Sequence, residues 1–374
     1  MELENIVLRC KNRSDGFYIF RSQENELLCR RVEEGKLCDK AEILADNDCA
    51  EFDAIIDFNN TLHIVMGKRS GDVIYLRRID GVWKKATLLK LKAELDTKTE
   101  SLFVFGKDEQ VIVIYLAFCG GRKMICCQCI SEKIESPVVI AEADGTSSIF
   151  AFKNTGGDIC VFYTDNESGT FGYKKYSDAK SGWSKINVIE DEGRGVKNIF
   201  AECDGEEMHV CYKHREGVQF RCINKSGKIL DSQLLTRKHI ENCAELILNC
   251  RDNLLRLFWR SGESMICAVR DNMEKKWSRL AERKIKSAGE LIVFKFSDAE
   301  EQSFKCDCGT IENNVVMVHD GGEYFKNKSV YGITNIEDIE TLIFKVKTIL
   351  SELENIKKGV RKSETTDEPK ERQF

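Results

Sequence analysis

Residues 54–89 read AIIDFNNTLHIVMGKRSGDVIYLRRIDGVWKKATLL, and this stretch decides the fold. It holds four short apolar runs, Ala54–Phe58, Leu62–Met66, Val73–Arg77 and Trp83–Leu89. Between them stand Asn59-Asn60, Ser70-Gly71-Asp72 and Asp80-Gly81. Runs this short, rich in β-branched and aromatic residues and bounded by polar breaks, have the length and composition of strands. Glycine in the breaks supplies the positive φ that tight antiparallel turns need. The stretch therefore predicts four antiparallel strands joined by hairpins.

The same pattern recurs on both sides of it. The first run aligns at Val7, Ile56, Phe103, Phe150, Phe200, Ile247 and Ile292, a spacing of 45–50 residues. The second run ends in a bulky residue at Phe20, Met66, Tyr115, Tyr163, Tyr212 and Trp259, spaced 46–49 apart. The fourth run often opens on tryptophan, at Trp83, Trp183 and Trp277. Two independent series agree on one period. Four antiparallel strands repeated seven times predict an all-β chain, a seven-bladed β-propeller of four-stranded antiparallel blades. A linear β-solenoid is the rival, but its rungs are usually shorter and seven units suit ring closure. The expected blades are 4–45, 47–92, 100–143, 147–192, 196–237, 239–286 and 289–332, within a propeller of residues 1–333. In the last, Ser303–Gly309 and Asn314–His319 are expected as middle strands and Tyr324–Tyr331 as the outer one.

Composition narrows the function classes. The chain has 374 residues, 57 Lys+Arg against 62 Asp+Glu and a net charge of -5. That balance argues against nucleic-acid partners, which call for a basic excess. Only 2 prolines occur, as central strands require, and Pro137 is expected in the outer segment of the third unit. Glu2, Glu4, Arg9 and Lys11 interrupt any apolar leader, and the longest apolar run, Val111–Cys119, is far too short to span a membrane. The expectation is a cytoplasmic chain without membrane insertion, leaderless export being the alternative. Its 17 cysteines are then reduced and buried as small apolar residues.

The pattern changes after Gly332. Ile336, Ile343 and Leu350 fall at heptad position a, and Ile339, Val346, Leu353 and Val360 at d. Leu342, Ile349 and Ile356 add apolar g positions. Residues 334–361 are expected as an amphipathic, coiled-coil-like α-helix, and 362–374 as a disordered tail. The stripe Ile336, Ile339, Ile343, Val346, Leu350, Leu353 predicts self-association into a homo-oligomer; docking on the propeller is the alternative.

From Asn5 to about Tyr331 the chain resembles propellers of the sialidase-like and fucose-lectin-like kind. The resemblance rests on the blade period and on the tryptophans in Gly81-Val82-Trp83, Ser181-Gly182-Trp183-Ser184 and Lys276-Trp277-Ser278. WD dipeptides with upstream Gly-His, kelch double glycines and a clean sialidase Asp-box are absent, and no Arg-Ile-Pro element exists. Sialidases grip a substrate carboxylate with three arginines. The resemblance thereby makes candidates of Arg21, Arg69, Arg215 and Arg260, which follow the repeated bulky position in four units. A sugar site in a groove between blades would need an aromatic platform, for which Tyr163, Tyr212 and Trp259 are candidates, although packing between sheets explains them as simply.

No catalytic residue, cofactor or metal is assigned. Cys127 with Cys129, and Cys306 with Cys308, share strand faces but sit in separate units. His63, His209, His214, His239 and His319 show no ligand spacing, and His63 and His209 are expected as hydrogen-bonded packing residues. The sequence reads most economically as a non-enzymatic interaction scaffold, made multivalent by its C-terminal helix and binding an unknown protein or glycan. A carbohydrate-binding, lectin-like propeller is the alternative, and a sialidase-like glycoside hydrolase stands third.

Overall fold

The computed structural model describes residues 5–10, 15–33, 36–90, 98–107, 109–177, 182–215, 217–237, 243–251, 254–262, 264–278, 280–284, 292–298, 304–312 and 315–318. The chain separates into two units, Met1–Tyr331 and Gly332–Phe374. The expected helix, tail and outer strand Tyr324–Tyr331 lie outside the described residues, as do His239 and His319.

Every described element is a strand. The first group is β1 (Asn5–Arg9), β2 (Gly16–Arg21), β3 (Leu27–Glu33) and β4 (Lys36–Ala45). The second is β5 (Cys49–Ile56), β6 (Leu62–Lys68), β7 (Val73–Ile79) and β8 (Val82–Leu89). The third is β9 (Lys98–Lys107), β10 (Gln110–Cys119), β11 (Arg122–Ile130) and β12 (Val138–Ala143). In the fourth, β13 (Phe150–Lys153), β14 (Ile159–Thr164) and β15 (Phe171–Ser177) precede a broken outer strand, β16 (Gly182–Trp183) and β17 (Asn187–Glu190). The fifth is β18 (Lys197–Asp204), β19 (Glu207–His214), β20 (Gly217–Asn224) and β21 (Ile229–Thr236). The sixth, β22 (Cys243–Arg251), β23 (Leu254–Ser261) and β24 (Ser264–Asp271), also ends in a broken outer strand, β25 (Lys276–Trp277) and β26 (Ala281–Lys284). The last group comprises β27 (Ile292–Asp298), β28 (Phe304–Glu312) and β29 (Val315–Val318).

Each group is an antiparallel meander with its strands in sequence order. The hairpin chemistry read from the sequence operates at the β7–β8 turn, where Asp80 and Gly81 have φ of 49° and 80°. Pro137 stands just before β12, where its missing N–H costs no ladder bond. The seven expected sheets are six among the described residues, because β27 pairs in parallel with β1 (Ile6 opposite Lys295). This merges the last group with the first into one seven-stranded sheet, β29-β28-β27-β1-β2-β3-β4. Periodicity locates the strands of each group but carries no information on how the first and last groups meet.

First strands adjoin in succession, β1 to β5, β5 to β9, β9 to β13, β13 to β18 and β18 to β22, and β22 adjoins β28. With the β1–β27 pairing, this arrangement closes a ring, which makes the architecture a β-propeller and not an open solenoid. The repeated first-strand position lies on the inner circle: Phe150 meets Phe103 edge-on at 5.8 Å and Phe200 at 4.9 Å. The repeated bulky position of the second strand fills the space between sheets. Met66, Tyr115, Tyr163, Tyr212 and Trp259 are all essentially inaccessible to solvent. Fifteen of the 17 cysteines are free thiols, most of them buried in this packing. No helix among the described residues is long and apolar enough to cross a membrane.

Candidate functional site

Tyr163, Tyr212 and Trp259 are 1%, 0% and 0% exposed, so their rings belong to the packing between sheets and present no face to a ligand. The four arginines lie where their sequence positions put them, at or just past the ends of second strands. Arg21 donates through Nη1 to the Ala50 carbonyl, and the Arg69 amide donates to the Asp48 carbonyl at 3.2 Å. Both therefore bind the chain at the entry to β5, at Asp48 and Ala50. Arg215 reaches Glu192 at 3.9 Å on the connection between β17 and β18, and Arg260 sits half-buried in β23. Arg21, Arg69 and Arg215 are thereby tied to the junctions between neighbouring sheets.

The opposite ends of the sheets carry two grooves at equivalent places in the repeat. The first, about 490 Å³, lies between β1–β4 and β5–β8 and is lined by Phe17, Arg31, Asn60, Leu62, Arg78, Asp80 and Gly81. The second, about 550 Å³ and open to solvent, lies between the sheets of β13–β17 and β18–β21. Lys175, Tyr173, Cys160, Glu206, Met208 and Lys225 line it, among others. Register establishes the equivalence. Phe17, three residues before Phe20, is opposite Arg31, and Cys160, three before Tyr163, is opposite Lys175. On the far wall, Leu62 and Met208 each stand four residues before the bulky position, opposite Arg78 and Ile223. Each groove thus sets a cationic side chain of one sheet against two turns of the next.

In the first groove the guanidinium of Arg78 stands over the rings of Phe17 (5.3 Å) and Trp83 (5.6 Å). Arg78 donates to Glu42 Oε1 at 3.1 Å and Trp83 Nε1 donates to Glu42 Oε2 at 2.8 Å. Glu42 comes from the preceding sheet, so the cluster clamps two sheets together. Arg31 and Asp80 at the rim are exposed, and Arg31 pairs with Glu33 at 3.3 Å. In the second groove Lys175 pairs with Asp158 at 3.0 Å, and Thr155 Oγ1 donates to the Gly205 carbonyl at 2.7 Å across the gap. Burial pushes the Tyr173 hydroxyl up to about 12, so it is a neutral donor at physiological pH. Flat donors, half-exposed carboxylates and ring edges in an open cleft suit reversible recognition of a polyhydroxylated surface.

The same junction recurs between β18–β21 and β22–β26. There Arg270, the counterpart of Arg78, donates to Asp231 at 2.8 Å and stands 4.9 Å over Phe220. The two histidines expected to be hydrogen-bonded diverge. His63 contacts the Tyr75 hydroxyl at 2.6 Å and Asp57 at 3.2 Å, which with backbone donors holds the Asp57 carboxyl below its ordinary value despite burial. His209 is 1% exposed, and neither ring nitrogen has a hydrogen-bond partner among the described residues. Its sequence neighbours gave no hint of this, because what surrounds it comes from β20 and β24.

No protein-family model matches the chain, and no curated protein matches it in sequence. Among solved structures, it is similar to an oligogalacturonate lyase at 9% identity and a TM-score of 0.50, covering 77% of this chain and 79% of that one. The fucose-binding lectin of Aleuria aurantia, solved with α-methyl-L-fucoside, aligns at 11% identity and a TM-score of 0.49, over 76% of this chain and 96% of the lectin. AofleA from Arthrobotrys oligospora aligns at 8% identity and a TM-score of 0.44, over 77% and 88%. At these identities the likeness is one of fold, the β-propeller that the ring of first strands already defines.

Proposed function

We propose that the chain is a carbohydrate-binding propeller of seven repeats, in which clefts between adjacent sheets each take one sugar unit. The observation that carries this reading is the equivalence of the two grooves, because a repeated shallow cleft serves weak, multiple recognition better than a single catalytic centre. Each cleft offers a cation (Arg31 or Lys175), turn groups of the next sheet and an apolar wall. In the first, Glu42, Arg78 and Trp83 add paired donors and an acceptor beside the rim. Individually weak sites gain avidity when several engage one glycan surface. The heptad stripe from Ile336 to Leu353 supports a second level of multivalency, several propellers assembled through residues 334–361.

The test is a glycan array followed by calorimetry on the full chain, with Arg31→Ala, Lys175→Ala and the double variant. Selective binding with more than one site per chain, reduced stepwise by the two substitutions, is the expected result. No glycan binding, or binding indifferent to both substitutions, refutes the reading. Light scattering of the chain truncated after Gly332 tests the assembly: the truncated protein should be a monomer and the full chain should not.

A further inference from the structure

We infer that Glu207, His209 and Cys222 form a binding site for a borderline-soft divalent cation of the Zn²⁺ class, in the junction between β18–β21 and β22–β26. The ligand atoms of the three residues all lie within 4.8 Å of one another. Strand geometry accounts for the convergence. Glu207 and His209 are two apart on β19 and share a face, and Cys222 on β20 is directly opposite His209. The site uses neither Arg31 nor Lys175, so its test is separate from that of the glycan reading.

The second observation is the imidazole itself. His209 is 1% exposed, with its ring stacked on Phe220 at 5.9 Å, and both nitrogens are buried without a hydrogen-bond partner among the described residues. Burying an imidazole unpaired is costly, and coordination is one way of using its lone pair. Cys222 Sγ donates to Glu207 Oε2 at 3.1 Å, so thiol and carboxylate already face each other. One nitrogen, one sulfur and one carboxylate oxygen are the donor types Zn²⁺ takes, at about 2.0–2.3 Å, with a fourth position left for solvent. Binding exchanges a proton for the metal: the Cys222 S–H bond breaks, an S–M bond forms and one H⁺ leaves to solvent. Arg270, a cation near His209, is held by Asp231 at 2.8 Å, and Glu207 and Asp204 add negative charge there.

The test uses the reduced, metal-stripped full chain titrated with Co²⁺ and then Zn²⁺. The expected result is one tight equivalent of Co²⁺ with thiolate-to-cobalt charge-transfer absorption, displaced by Zn²⁺. His209→Phe and Cys222→Ser should each abolish that equivalent, and Glu207→Gln should weaken it at least tenfold. Cys129→Ser, on a distant strand, should leave it intact and so control for the other thiols. His209→Phe should fold, because it replaces an unpaired buried ring with an apolar one; its metal-free melting temperature provides the check. Absence of the equivalent in the unaltered chain, or its persistence in either His209→Phe or Cys222→Ser, overturns the site.

Discussion

Lys295 and Asp53, 242 residues apart in the chain, form an ion pair whose side chains are 1% and 4% exposed. Asp53 also accepts from the amides of Ala54 at 2.9 Å and Val104 at 2.8 Å. One carboxylate thereby ties β27 to β5 and β9, across the place where the two ends of the repeat array meet. The parallel β1–β27 pairing closes the ring through backbone bonds, and this pair closes it through charge.

A charge stranded in that interior is costly. Lys295→Met should lower stability by about 3–5 kcal/mol, because Asp53 is left buried without its counter-charge. Asp53→Asn combined with Lys295→Met should recover part of the loss, since the neutral amide needs no counter-charge and its oxygen can still accept from one of the two backbone amides, that of Ala54 or that of Val104. Urea unfolding of the three chains decides it. Equal losses in the single and double variants would mean that the pair has no role of its own.

Arg78 is set flat against two rings, which a lysine cannot reproduce. Arg78→Lys keeps the charge beside Glu42 but loses the stacking on Phe17 and Trp83 and the planar donor geometry. The expected loss is about 1–2 kcal/mol in denaturant unfolding. An unchanged midpoint would reduce the cluster to a surface ion pair.

Gly172 faces the outer strand so closely that a methyl group has no room. A Cβ there would stand 2.3 Å from the Asn187 carbonyl oxygen and 3.0 Å from Ile186 Cγ1. Gly172→Ala should therefore cost about 1–3 kcal/mol by pushing β17 off β15. Gly145→Ala, with nothing within 4 Å of its Cβ, should stay within about 0.5 kcal/mol of the parent. Thermal melts of both variants separate steric exclusion from a general effect of losing glycine.

The repeat was legible because two side-chain series, one on first strands and one on second strands, kept the same spacing while the turns between them varied. Both series proved to be packing positions: Phe103, Phe150 and Phe200 on the inner circle, Tyr163, Tyr212 and Trp259 between sheets. That same regularity made the aromatics poor guides to a ligand. The grooves were not legible, because Phe17, Arg31, Asn60 and Arg78 come from three strands and a turn of two repeats, and no local motif joins them. Cross-strand register, which sequence does not carry, brings them together. The merging of the first and last groups was hidden for the same reason.

Asp144 gives the propeller a testable acid limit. Its carboxylate, 5% exposed, accepts from the Thr146 hydroxyl at 2.6 Å, the Thr146 amide at 3.1 Å and the Ser147 hydroxyl at 2.9 Å, with Arg194 at 3.5 Å. Burial alone would raise its pKa, but these donors outweigh burial and hold the carboxyl below the ordinary value. A group depressed in the folded state binds its proton more tightly when unfolded. Its stabilisation is therefore complete above the unfolded pKa, near 3.9, and is lost as pH falls through the lower folded value. Asp144→Asn removes the charge and places an amide N–H₂ among donors, so at pH 7 it should cost about 1.5–3 kcal/mol. The difference between the two proteins should shrink as pH drops below about 4, because protonation makes the parent resemble the variant. Paired urea unfolding curves at pH 7, 5, 4 and 3 provide the measurement. A gap that stays constant to the lowest pH, or that widens on acidification, would show that the Asp144 charge does not hold this junction.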